Sequence, residues 1–162
     1  QNEREIRKNI FKNERVNFIL GVILVIFSLY LTISFISFFF TGSIDQSKVE
    51  NLSVGELSSI GNEIQNWTGA FGAYLSNLMI NRWMGISAFI VSLWLYVVGR
   101  RFMKVAHTRM IRFTISCALS IIVLSLFFGF IFMHSYNNTF LYLGGYHGYY
   151  ATLWLNAWIG PW

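Results

Sequence analysis

One cysteine and one proline stand in a chain of 162 residues, and only 12% of it is charged. So little charge could not cover the surface of a soluble domain of this length. The lone Cys117 closes no intrachain disulfide and completes no metal site, so it reads as an apolar packing residue. Charge is missing in blocks: none falls between Arg15 and Asp45, and none between Arg82 and Arg100. From Phe113 to Trp162 only His134 and His147 could carry any. Uncharged runs of this length point to the bilayer. Chemistry is missing too. No G-x-x-x-x-G-K-[ST] cradles a phosphate, and no serine sits in a G-x-S-x-G elbow. His107, His134 and His147 stand apart, whereas zinc needs three or four converging ligands. The apolar runs hold no ionisable residue, the usual marker of a proton or ion pathway. Catalytic residues, cofactor-binding residues and metal ligands are therefore all expected to be absent from this stretch.

What is present is hydrophobic (55%) and aromatic (19%). Three runs can cross a bilayer: residues 17–40, 83–99 and 113–133. The first is too long for a cleaved signal peptide and no small-residue cleavage site follows it. The basic residues alternate between the connections. The tail 1–16 holds Arg4, Arg7, Lys8, Lys12 and Arg15, and the loop 100–112 holds Arg100, Arg101, Lys104, Arg109 and Arg112 with no acid. The stretch 41–81 has Lys48 against Asp45, Glu50, Glu56 and Glu63, and nothing after Met133 is Lys or Arg. The positive-inside rule then places residues 1–16 and 100–112 in the cytoplasm and the other connections outside. The net charge of +5 is read as this topological signal, the alternatives being contact with nucleic acid or anionic lipid. The four carboxylates of the outer loop read as a solvated face.

Between the outer polar loop 41–65 and the second span lies residues 66–82, "NWTGAFGAYLSNLMINR". Read as a helix, it sets Phe71, Tyr74, Leu75, Leu78 and Met79 on one apolar stripe, with Ser76, Asn77 and Asn81 off it. The pattern returns in "GYHGYYATLWLNAWIG". Gly69 and Gly72 match Gly145 and Gly148, Tyr74 matches Tyr150, Ser76 matches Thr152, and Trp83 and Gly85 match Trp158 and Gly160 after one gap. The unit is a span, an outer amphipathic helix and a returning span, repeated in parallel orientation. An aromatic belt with chance similarity is the alternative. The fold class expected is an all-α membrane protein with three transmembrane helices and two outer amphipathic or re-entrant helices, the second within 134–162. The chain starts at Gln1 and stops at "WIGPW", where the repeat calls for a fourth span, so it reads as a fragment.

The blocks "NWTGAFGAY" and "LGGYHG" resemble those of the N-terminal four-span membrane domain of the FtsK/SpoIIIE family of DNA translocases. Asn66, Trp67, Gly69, Gly72, Ala73 and Tyr74 fit the first block, and Gly144, Gly145 and Gly148 the second. The resemblance covers residues 15–162. It implies a membrane anchor at the bacterial division septum, in the plasma (inner) membrane. A linker and a cytoplasmic ATPase would follow. That motor would supply the ATP and Mg sites, the contact with double-stranded DNA in chromosome segregation, and the homo-oligomer. Partners here would be the lipid bilayer and other division membrane proteins. The residues singled out for contact are Trp67, Phe71 and Tyr74, then Tyr146, Tyr149 and Trp154, as partner anchors or equally as lipid-headgroup anchors. Two other readings stay open. A small transporter or channel would suit the parallel repeat. A eukaryotic four-span scaffolding protein would suit the N-x-[ST] triplets at Asn51, Asn66 and Asn137.

Overall fold

The computed structural model of the protein describes residues 14–50, 52–57, 59–105, 108–133 and 140–160. Among these the chain is helical, with no strand. Helix α1 spans Glu14–Val49. Its 36 residues reach about 54 Å, some 24 Å more than a hydrocarbon core. Residues 41–49, read from the sequence as the start of the outer loop, therefore continue the helix. The reason lies in their inward face: Thr41, Gly42, Asp45 and Val49 are buried at helical spacing. The chain then turns back through two short 3-10 turns, Val54–Glu56 and Gly61–Glu63. They pack a small cluster of Val49, Leu57 and Ala73, with Leu52, Ile60, Ile64 and Tyr74 around it.

The segment read as one amphipathic helix over 66–82 has two windings. Helix α2 spans Gly69–Ser76, and Asn77–Met84 continues as a wider π-helix that ends where Gly85 N–H bonds Ile80 O. The extra residue per turn lets Asn77, Ile80, Asn81 and Gly85 all face inward. A 3-10 turn at Gly85–Ser87 leads into α3, Ala88–Phe102. From Gly69 to Phe102 the run is long and apolar enough to cross a membrane, as are α1 and α4, Met110–Ile131. Helix α5 spans Gly145–Ile159.

Helices α1 and α3 pack antiparallel. At one end the Gly21 and Gly99 backbones approach so closely that a Cβ on Gly99 would lie 2.7 Å from Gly21 O. Midway Thr32 and Ser92 share a 3.0 Å hydrogen bond. Near the other end Phe35 meets Phe89 edge-on at 5.4 Å. Leu31, Phe35, Phe38, Ile80 and Ala88 form the core where these two helices meet the π-helix. Helix α4 joins α3 through Trp94 Nε1, which donates to Thr114 Oγ1 at 2.9 Å. Cys117 is buried beside a cavity of about 150 Å³ shared with Val91 and Trp94.

The basic connection is shorter than 100–112. Arg100 and Arg101 belong to α3 and Arg112 to α4. Lys104 caps α3 at φ 60. Its N–H bonds Arg101 O while Val105 N–H bonds Arg100 O, the two bonds of a Schellman cap. Lys104 also pairs with Glu14, and Arg100 lies 5.7 Å over the Tyr96 ring. Arg4, Arg7, Lys8, Lys12, Asn51, His107, His134 and Asn137 lie outside the described residues.

Candidate functional site

The outer helices answer the repeat in backbone geometry. Helices α2 and α5 both open on a glycine of positive φ, Gly69 at 76° and Gly145 at 67°. The two segments close on Gly85 at 67° and Gly160 at 100°. These are four of the positions that the sequence repeat pairs. Each unit also seats its second glycine on a serine of the preceding span. A Cβ on Gly72 would lie 2.8 Å from Ser34 Oγ, and one on Gly148 2.2 Å from Ser125 O. The units meet end to start: Ile86 N–H donates to Leu143 O at 2.8 Å. Gly69 differs from the other three repeat glycines at the helix starts. Nothing lies within 4 Å of its added Cβ, so its glycine serves the left-handed backbone and not close packing.

The polar residues set off the apolar stripe turn toward the protein. Ser76, Asn77 and Asn81 are buried, while Phe71 is exposed and Tyr74, Leu75, Leu78 and Met79 only half-buried. The polar face is the protein-facing one because hydrocarbon offers no partner to a polar group and helices gain nothing by hiding apolar faces from lipid. A polar ladder on α1 receives it. Tyr30 Oη donates to Thr68 O at 3.0 Å, and Ser34 Oγ to Gly72 O at 2.8 Å. Ser34 Oγ also bonds Ser76 Oγ at 2.7 Å, and Trp67 N–H donates to Ser37 Oγ at 3.0 Å. About two turns further out, Gln65 N–H donates to Asp45 Oδ1 at 2.8 Å.

Asn66 and Asn81 are the two residues whose roles the sequence reading missed. Asn66 donates to Ser34 O, and its Oδ1 accepts from both Thr68 N–H and Thr68 Oγ1. That buried Asx turn uses up the triplet at Asn66 and withdraws it from glycosylation. Asn81 donates to Asn77 Oδ1 and Phe140 O and accepts from Tyr142 N–H, each at 3.1 Å. It pins the segment before α5 to the first unit. The spacing Asn77, Asn81 was visible, but its partners lie about sixty residues away. Asp45, read as solvated, is fully buried, because the 50–65 stretch folds over it.

The six singled-out residues fall into separate groups. Trp67 is 65% exposed and stacks on exposed Phe40 at 6.2 Å. Phe71 faces Tyr30 at 6.4 Å. Tyr74 does not join them; it packs under the outer turns. Tyr146 and Tyr149 converge with Tyr142 and Tyr150 in a nest of edge-to-face rings, Tyr142 and Tyr146 at 4.8 Å. Burial, then Tyr142 and Glu50, push the Tyr146 phenol up, opposed by Arg82. Trp154 stands apart with Trp158, both exposed. The structure thus holds two aromatic outer patches and a third tryptophan pair. Among the described residues no three His, Cys, Asp or Glu side chains come together as a metal site would need. Hydrogen-bonding groups point inward, while Trp67, Phe71, Tyr150, Trp154 and Trp158 stand exposed.

A family described as the 4TM region of DNA translocase FtsK/SpoIIIE matches residues 13–162. The chain belongs to this family. The match takes in every helix described above, so the polar ladder and the paired glycines are features of an FtsK/SpoIIIE membrane region. No curated protein and no solved structure matches the chain.

Proposed function

We propose that this FtsK/SpoIIIE membrane region anchors a DNA translocase in the bacterial inner membrane and targets it to the division septum through its outer surface. The observation that carries this reading is the family match over nearly the whole chain, joined to the outward aromatic patches of Phe40, Trp67 and Phe71 and of Tyr146, Tyr149 and Tyr150. The basic end faces the cytoplasm on this reading. A returning span would follow Gly160, as α3 follows Gly85. The motor, with its ATP, Mg and double-stranded DNA and its homo-oligomeric assembly, lies outside this stretch. Other division membrane proteins are the partners of the outer surface.

The test is localisation in dividing bacteria of the chain fused to a fluorescent protein. Septal enrichment is expected for the parent and its loss for Trp67→Ala/Phe71→Ala at unchanged membrane level. An even membrane distribution of the parent would refute targeting by this region. Septal enrichment of the double variant would leave those rings as lipid anchors.

A further inference from the structure

We propose that one face of α4, formed by Ser116, Leu119, Val123 and Phe130, seats the returning transmembrane helix of the second repeat unit, antiparallel to α4 as α3 is to α1. The seat rests on the reading above that a span follows Gly160. Exposure of that face is not enough, since lipid satisfies an apolar surface by itself. The repeat supplies the occupant. Tyr30 Oη donates to Thr68 O, the residue before Gly69, and Ser125 Oγ donates at 2.6 Å to Gly144 O, the residue before Gly145. Tyr30 of α1 and Ser125 of α4 thus hold the same place under the two outer helices. Gly21, Leu24, Ser28 and Phe35 of α1 then stand level with Ser116, Leu119, Val123 and Phe130 of α4. On α1 this face is covered by α3. A Cβ on Gly99 would lie 2.7 Å from Gly21 O and 3.1 Å from Leu24 Cβ. Ser28 is buried, and Phe35 meets Phe89 edge-on. On α4 all four counterparts are exposed. Setting Ser125 level with Ser34 instead, one turn away, leads to the same face. Val25, Ser28, Thr32 and Phe39 then match the four, and α3 meets them as well, through Gly99, Ser92 and Phe89. Ile131 is the contrast. It is exposed, and so are its counterparts in the two registers, Ile36 and Phe40. The two spans agree where α1 faces lipid and differ where α1 faces α3.

The experiment places a nitroxide on Val123→Cys, Phe130→Cys or Ile131→Cys, each in a Cys117→Ser background of the full-length protein reconstituted in lipid bilayers. Access of molecular oxygen, which concentrates among the acyl chains, is read by power-saturation electron paramagnetic resonance. The labels at 123 and 130 are expected to lose most of their oxygen access relative to the label at 131, which neighbours 130 in depth and stays open. The two seat labels lie about two turns apart, so a label that pushes the helix off at one of them leaves the other shielded. Equal access at 123, 130 and 131, with a cysteine placed beyond the span protected from an impermeant reagent outside, refutes the seat and leaves the returning span standing. Reaction of that cysteine from outside refutes the returning span and the seat with it. Shielding accompanied by dipolar broadening between labels at 123, lost on dilution with unlabelled protein, puts a second copy on this face and also refutes the proposal. Failure of septal targeting shows separately, in the localisation of the fluorescent fusion.

Discussion

Alanine at Gly85 should disrupt the junction of the two repeat units. The backbone there sits at φ 67° and ψ −148°, a region essentially restricted to glycine that costs an L-residue on the order of 1–3 kcal/mol. Its Cβ would also fall 1.9 Å from Leu143 O, against an ordinary contact of about 3.5 Å. Backbone must move by more than 1 Å on the order of that shortfall, and the Ile86 to Leu143 hydrogen bond is lost, for about 1 kcal/mol more. These two terms alone give an expected loss of about 2–4 kcal/mol. Gly69→Ala carries a positive-φ penalty at 76° with nothing within 4 Å, so it should lose only about 1–2 kcal/mol. Gly55→Ala meets open space with no positive φ and should be neutral or slightly stabilising. Unfolding of the purified chain in mixed micelles, followed by circular dichroism against a denaturing detergent, gives the ranking. Equal losses at 85 and 69, or a Gly85→Ala variant within about 1 kcal/mol of the parent, would refute the close approach. Gly145→Ala faces Trp83 O at 2.3 Å and Gly85 N at 2.7 Å. The two substitutions share one contact, so the double variant should lose less than the sum.

Three further outcomes follow from local geometry. Lys104→Gly should raise stability by about 0.5–1 kcal/mol in the same assay, because glycine relieves a left-handed cap while the exposed ion pair to Glu14 contributes little. Asp45→Asn keeps an acceptor for Gln65 N–H and removes a buried carboxylate whose Oδ2 has no hydrogen-bond partner; it should match or exceed the parent, whereas Asp45→Ala should lose about 1–3 kcal/mol. Glu56 accepts from Ser53 N–H and Ser53 Oγ, and those bonds hold its carboxyl below the ordinary glutamate value. A lowered folded pKa means the turn's contribution is full above the ordinary value and fades as pH falls through the lowered one. Carboxyl NMR should show Glu56 titrating below the ordinary glutamate value, and Ser53→Ala, which leaves the larger backbone bond in place, should bring it only part of the way back.

The spans were readable because an uncharged apolar run has one physical meaning at that length. The repeat was readable because glycines at 69, 85, 145 and 160 do a job no other residue does as well: all four carry positive φ. What the sequence could not yield was the partners of the polar residues. The stripe Phe71, Tyr74, Leu75, Leu78, Met79 was found with Ser76, Asn77 and Asn81 off it, and Phe71 and Tyr74 were read as outward contacts; Phe71 is exposed, whereas Tyr74, Leu75 and Met79 pack on buried clusters. In a bilayer lipid already satisfies apolar surface, while Ser76, Asn77 and Asn81 have partners only inside the protein. Asp45 is a second case. Its hydropathy argues for solvent, yet α1 runs on past the expected span end and the outer turns cover the carboxylate.

The inward facing of the polar residues also decides what can be varied at the outer surface. With the hydrogen-bonding groups of 65–81 committed to α1 and to the 140–142 segment, the rings left outward at Trp67, Phe71 and Phe40 make contact without unsatisfying anything within. Replacing them should alter what the domain touches and leave the ladder that holds it together unchanged. The inward face cannot be varied in that way. Asn81 joins three groups on two units, so its loss strands the Tyr142 N–H and the Phe140 carbonyl together and loosens one repeat unit from the other. The polar face of the outer helix thus holds the fold together, and Phe71 stands outward on the other side.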